Sequence, residues 1–156
     1  IAEAAAAGAK VLVDGRNTIV KGKESGFYVG PTIVDYVTPD MAIAKEEVFG
    51  PVISIIRAKD LDEAIAIENS SGYGNAAAVF TQSGGAAKEV MERASAGMIG
   101  VNIGVPVPRE PFPFGGWNDS KFGVCDITGK SSIEFWTQNK KTSVKWTASA
   151  KTNWMS

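Results

Sequence analysis

The sequence predicts an α/β fold built on a parallel βαβαβ sheet, followed by a separate strand near the carboxyl end. Three observations carry this prediction. Val52-Ile53-Ser54-Ile55-Ile56, Ala76-Ala77-Ala78-Val79-Phe80 and Met98-Ile99-Gly100-Val101 are almost continuously apolar, as expected of strands in a parallel sheet covered on both faces. The two stretches between them show helical spacing, and each opens on a capping residue. Parallel neighbours need a crossover of that kind. At 156 residues the chain fits one domain; residues 1–136 read as its body and 137–156 as the added strand and tail.

The elements follow in order. Ile1 to Ala7 is an alanine-rich helix that Gly8 ends, since a left-handed cap costs glycine little. Lys10 to Val13 is a short strand, and Asp14 to Gly26 a polar excursion. Phe27 to Val34 gives two extended pieces joined by Gly30-Pro31. Thr38-Pro39-Asp40 starts a brief helical turn before Lys45. Asp60 with Glu63 has the form of a capping box, and Leu61, Ala64 and Ile65 share one helical face. Gly72 closes that helix. Ser83 caps the next, whose apolar face is Ala87, Val90, Met91 and Ala94, with Glu89 and Arg93 paired outside. Gly97 ends it. Gly129 to Trp136 is a last helix, and Lys140 to Trp146 alternates as a strand does. The four tryptophans all stand at or beyond Trp117, and aromatic residues on a terminal strand point to a partner surface.

Composition removes several classes of function. A net charge of −1 gives no attraction to a phosphate backbone, so nucleic acid is not an expected partner. No apolar run approaches the roughly 20 residues a bilayer requires, and no membrane partner is expected. The first residues lack an initiator Met and a basic leader, so the chain is expected to be a fragment rather than a precursor. Cys125 is the single cysteine, which fits a reducing compartment such as the cytoplasm. There is no histidine, which removes the commonest general base and metal ligand. No metal site is expected, and no catalytic residue either: Cys125 neighbours Asp126 and no base, an unfavourable setting for a nucleophilic thiol.

Two segments carry the candidate sites. Lys45-Glu46-Glu47-Val48-Phe49-Gly50-Pro51 places carboxylates and a ring on the loop feeding a buried strand. A carboxylate beside such a strand needs a partner, and a ribose diol would serve while the ring packs on a flat cofactor. A solvated turn with a core phenylalanine is the alternative. The second segment runs from Ile103 to Val124 and carries Pro106, Pro108, Pro111 and Pro113, which stiffen it. It leaves the sheet after Asn102, at the strand ends where α/β proteins collect ligands, and it ends in Phe112-Pro113-Phe114-Gly115-Gly116-Trp117. It reads either as the wall of a substrate passage or as a cover for the sheet edge. Gly72-Tyr73-Gly74 lacks the remaining glycines of a dinucleotide fingerprint and precedes a strand, so it is set aside. Asn69-Ser70-Ser71 and Asn118-Asp119-Ser120 match a glycosylation pattern, but nothing else implies secretion. Arg109 reads as a solvated loop residue, with a contact to a carboxylate or phosphate as the alternative.

With these residues in view, the chain resembles the C-terminal third of an aldehyde dehydrogenase. The likeness rests on five segments in the family's order: Gly26 to Thr32, Lys45 to Pro51, Tyr73 to Thr81, Gly100-Val101-Asn102, and Pro113-Phe114-Gly115-Gly116. Asn75, the proline-rich run Asn102 to Pro111 and the tail Phe135 to Thr142 resemble the CoA-acylating methylmalonate-semialdehyde dehydrogenase branch. The stretch Trp117 to Gly123 lacks the Ser-Gly-x-Gly continuation found in other branches.

The resemblance implies roles at matching positions. Glu47 would accept hydrogen bonds from the nicotinamide-ribose hydroxyls, and Phe49 would pack beside that ribose and ring. Phe114 would line the aldehyde tunnel with Asn102 beneath it. Lys140 to Trp146 would be the oligomerisation strand of a homodimer or homotetramer. The complete enzyme would use NAD to oxidise methylmalonate or malonate semialdehyde through a cysteine thioester, then pass the acyl group to CoA. The nucleophile, oxyanion donor and cofactor turn would lie in a remaining N-terminal part, leaving this segment inactive alone. The setting implied is cytoplasmic, or the mitochondrial matrix in a eukaryote. The alternatives are a branch that releases a free acid without CoA, and a non-catalytic assembly module.

Overall fold

A computed structural model describes residues 1–146. Its first layer is a three-stranded sheet of β1 (Lys10–Val13), β2 (Thr32–Asp35) and β3 (Val52–Ser54). β1 runs antiparallel to β2 with a bulge between Val11 and Val13, and β2 runs parallel to β3, Thr32 opposite Val52. The short helices α1 (Ala2–Ala6) and α2 (Ala42–Lys45) belong to this layer. Ala4, Ala9, Val34 and Val37 form its core, with Met41, Ile43, Val52 and Ile56 packed against them. Gly8 takes φ +102° directly after α1, as its predicted capping role requires. Thr32 is buried because its hydroxyl is used: Oγ1 accepts from the Gly15 N–H at 3.0 Å.

The second layer pairs β5 (Ala76–Val79) with β6 (Met98–Val101), parallel and in register from Ala76–Met98 to Val79–Val101. Helix α4 (Gly84–Arg93) crosses between them, and α3 (Leu61–Asn69) precedes β5. Both helices carry the caps read from sequence. Asp60 Oδ1 accepts from the Glu63 N–H at 2.8 Å, and Ser83 Oγ from the Ala86 N–H at 3.2 Å. Glu63 completes its box one residue early, accepting from the Lys59 N–H at 2.6 Å. Ile65, Val90 and Ala94 make the core here, with Leu61, Ala77, Val79 and Ile99 against them. A short ladder, β4 (Tyr73–Gly74) with β7 (Trp117–Asn118), ties the later loop back to this layer. Helix α5 (Gly129–Trp136) is the last regular element among the described residues.

The α/β class and its parallel pairs are present, with departures in detail. First, β3, β5 and β6 do not share one ladder: β3 pairs with β2, and among the described residues the strands sort into three sheets. Apolar runs identify buried strands but carry no information on which strand lies beside which. Second, β5 is covered on one face only, since Ala76 and Ala78 are exposed; an alanine run is apolar whether or not anything covers it. Third, Met91 turns outward from α4, and α3 ends at Asn69 on Ser70 before Gly72 is reached. Fourth, Phe27 to Gly30 joins no ladder.

The strand expected at Lys140 to Trp146 is also absent, as residues 137–146 have no regular structure. A strand is defined by the partner whose hydrogen bonds it shares, and none of the described strands pairs with this stretch. The remainder of the predicted tail, with Trp154, lies outside the described residues. Among those described, no helix is long and apolar enough to cross a membrane.

Candidate functional site

The turn 46–50 is held at both ends by backbone bonds. The Glu46 N–H donates to Ala42 O at 2.8 Å as α2 closes, and the Gly50 N–H donates to Val48 O at 2.8 Å. Pro51 O then accepts from the Thr32 N–H at 2.8 Å, the first bond between the turn and β2. Glu47 and Phe49 therefore project from a segment tied to both α2 and β2. Both are exposed, Phe49 to 93% of its full area. This excludes the core phenylalanine considered from sequence. A ring and a carboxylate two positions apart on a pinned turn can receive a flat, polyhydroxyl group.

The proline-rich loop folds back over the second face of β6. A Cβ on Gly100 would lie 2.5 Å from Ile103 O and 3.1 Å from Pro106 Cβ, and one on Gly97 would lie 2.5 Å from Gly115 O. Only glycine in β6 at position 100, and just before it at position 97, lets the loop approach so closely. The loop is thereby laid along the sheet, and half-buried Phe114 is brought to the rim of a cleft of about 780 Å³. Glu47 lines the same cleft, together with Lys45, Tyr73, Asn75 and Phe122. The fold thus brings together two residues singled out separately in the sequence, Glu47 and Phe114. Phe49 and Asn102 do not line this cleft.

The Asn102 side chain is engaged at the strand ends. The residue takes a left-handed conformation, φ +57°, which asparagine tolerates better than most residues. Its side chain faces the peptide of Thr81: Oδ1 accepts from the Thr81 N–H at 2.9 Å, and Nδ2 donates to Thr81 O at 3.1 Å. Its own N–H donates to Val79 O at 2.8 Å. The ends of β5 and β6 are clamped by this residue where the loop departs.

Cys125 Sγ lies 3.9 Å from Glu134 Oε2, and the neighbouring Asp126 carboxylate is held by Lys121 Nζ at 2.7 Å. Among the described residues, no hydrogen bond joins the thiol to a basic group. Both asparagines of the glycosylation patterns have their amides engaged. Asn69 Nδ2 donates to Arg93 O at 2.9 Å, and Asn118 Nδ2 to Ser95 Oγ at 2.9 Å. Sequence reasoning missed the Asn69–Ser95–Asn118 network, because it joins positions far apart in the chain.

Fold, pinned turn and proline-rich loop together define a class. The aldehyde dehydrogenase family model matches residues 1–142, and the chain belongs to that family. Among its relatives, malonate-semialdehyde dehydrogenase 1 of Geobacillus kaustophilus is 48% identical over 133 residues, covering 85% of this chain and 27% of that protein. The crystal structure of methylmalonate-semialdehyde dehydrogenase from Oceanimonas doudoroffii superposes with a TM-score of 0.88 at 37% identity, covering 94% of this chain and 30% of that one. That of a Mycobacterium tuberculosis aldehyde dehydrogenase complexed with NAD+ gives 0.75 at 33% identity, covering 88% and 27%. The chain therefore spans less than a third of the length of these relatives.

Proposed function

We propose that this chain supplies the cofactor-facing turn and one wall of the aldehyde passage to an NAD-dependent semialdehyde dehydrogenase. Its substrate is malonate or methylmalonate semialdehyde, and its product an acyl-CoA. The observation that carries the reading is the shared cleft: a carboxylate on a pinned turn and an aromatic side chain on a stiff loop line one concave surface. The substrate class is supported by the relatives' names, and NAD by the related complex. CoA as acyl acceptor rests on the likeness to the acylating branch.

The residues present fit that cofactor. Glu47 accepts hydrogen bonds from a ribose diol, and the open face of Phe49 packs against the sugar and the flat ring beside it. Phe114 keeps water from one side of the passage. NAD, when bound, would supply the hydride acceptor for the oxidation. The nucleophile is not Cys125, which faces a carboxylate and has no histidine in the chain to activate it. The thiol is therefore supplied by the remaining N-terminal part of the enzyme, and copies of that enzyme assemble as a homodimer or homotetramer.

Kinetics of Glu47→Gln in the assembled enzyme test the reading. Weakening a hydrogen bond to a charged group costs enough to lower kcat/KM for NAD by about tenfold to a hundredfold, and an unchanged value would refute the assignment. The chain by itself is expected to oxidise no aldehyde in the presence of NAD. Turnover by the purified chain would place the nucleophile within it after all.

A further inference from the structure

Helix α5 starts on a residue suited to capping it, yet that side chain is engaged elsewhere. Thr128 occupies the N-cap position with extended backbone, φ −125° and ψ 172°, but caps no N–H of its own helix. Threonine is favoured there because its oxygen can take one of the helix's orphan N–H groups. Here Oγ1 accepts instead from the backbone N–H of Phe114, 2.8 Å away and 14 positions upstream.

The next residue makes the approach possible. Gly129 has φ +64°, and a Cβ on it would lie 2.5 Å from Pro111 O and 3.0 Å from Phe112 C and Pro113 N. Any side chain would push the start of α5 off the loop backbone. The loop itself has few main-chain donors, since Pro111 and Pro113 have no N–H. Phe112 donates its N–H to Arg109 O at 3.0 Å. Between Pro111 and Phe114, the Phe114 N–H is the donor that reaches outside the loop, and Thr128 receives it.

We propose that Thr128 is a positioning residue for Phe114, fixing the passage ring through its backbone while Gly129 provides the close approach. The proposal deepens the function given above and rests on the assignment of Phe114 to the passage. It gives α5 a part in aldehyde recognition, although none of its side chains need touch the substrate.

The test compares Thr128→Val, which has nearly the same shape but no acceptor, with Thr128→Ser, which keeps the acceptor. Two readouts are taken on the assembled enzyme. Amide hydrogen exchange at Phe114 should speed up by about tenfold in Thr128→Val, one net hydrogen bond's worth, with the Ala87 and Ile99 amides unchanged. The aldehyde KM should rise about fivefold in the same variant while the NAD KM holds, the loss expected from a displaced pocket contact. Thr128→Ser should match wild type in both readouts. Unchanged Phe114 exchange in Thr128→Val, or fast exchange in Thr128→Ser, overturns the proposal, and the serine arm decides alone if Thr128→Val does not fold. So does an unchanged aldehyde KM in Thr128→Val where Phe114→Ala raises it. If Phe114→Ala leaves the aldehyde KM untouched, the passage assignment fails instead, and exchange still decides whether Thr128 holds Phe114.

Discussion

Asp35 is buried at the end of β2, and Arg57 reaches it from beyond β3. Nη2 donates to Oδ2 at 2.6 Å and Nε to Oδ1 at 3.1 Å, while the guanidinium lies 4.8 Å over the Tyr36 ring. The side-chain hydrogen bond from Arg57 holds the Asp35 pKa below the ordinary aspartate value; burial opposes it, and the Tyr36 N–H assists. A lowered folded pKa adds stability that is present above the unfolded aspartate pKa and lost as pH falls through the folded one. Arg57→Leu should accordingly lower the unfolding midpoint at neutral pH, with the deficit against wild type shrinking in acid; a deficit independent of pH would contradict this. Asn102 gives a second residue-scale prediction. Asn102→Ala loses the amide pair and strains a left-handed residue, costing about 2 kcal/mol, whereas Asn102→Gly keeps the backbone and costs about half of that; urea denaturation separates the two. Neither arrangement could be read from sequence. Asp35 and Arg57 lie 22 positions apart, Thr81 and Asn102 lie 21 apart, and only the folded sheet makes each pair neighbours.

Elements with local signals were legible. α3 and α4 carry their N-caps within three residues of the N–H groups they satisfy, so their starts were written in short stretches of chain. Ser83→Ala should therefore cost about 1 kcal/mol, measured as a shift of the urea midpoint; no shift would mean that the Ser83 cap adds nothing to α4. α5 was found at its observed bounds, Gly129–Trp136, but the use of its cap was not, because a threonine before a helix looks the same whichever N–H it accepts from. Strand partners were illegible for a related reason. Val52 to Ser54 is apolar enough for any sheet interior, and its place beside β2 comes from contacts across the fold. Glu47 and Phe114 were singled out one by one, whereas the cleft they share is a property of the loop's path over Gly97 and Gly100.

At the scale of the whole molecule, Phe27, Phe49, Phe122 and Trp146 are all more than nine-tenths exposed. Aromatic side chains are enriched at protein contact faces. Trp146 lies in the stretch proposed to pair with another subunit, so Trp146→Lys should shift the assembly toward smaller species in sizing chromatography. An unchanged elution volume would remove that stretch from the interface. The proposed cofactor role of the 46–50 turn is open to direct inspection. A crystal structure of the assembled enzyme with NAD bound should show Glu47 accepting hydrogen bonds from the ribose hydroxyls next to nicotinamide, with Phe49 stacked beside them. A sugar bound elsewhere, with the Glu47 carboxylate left in solvent, would contradict the account.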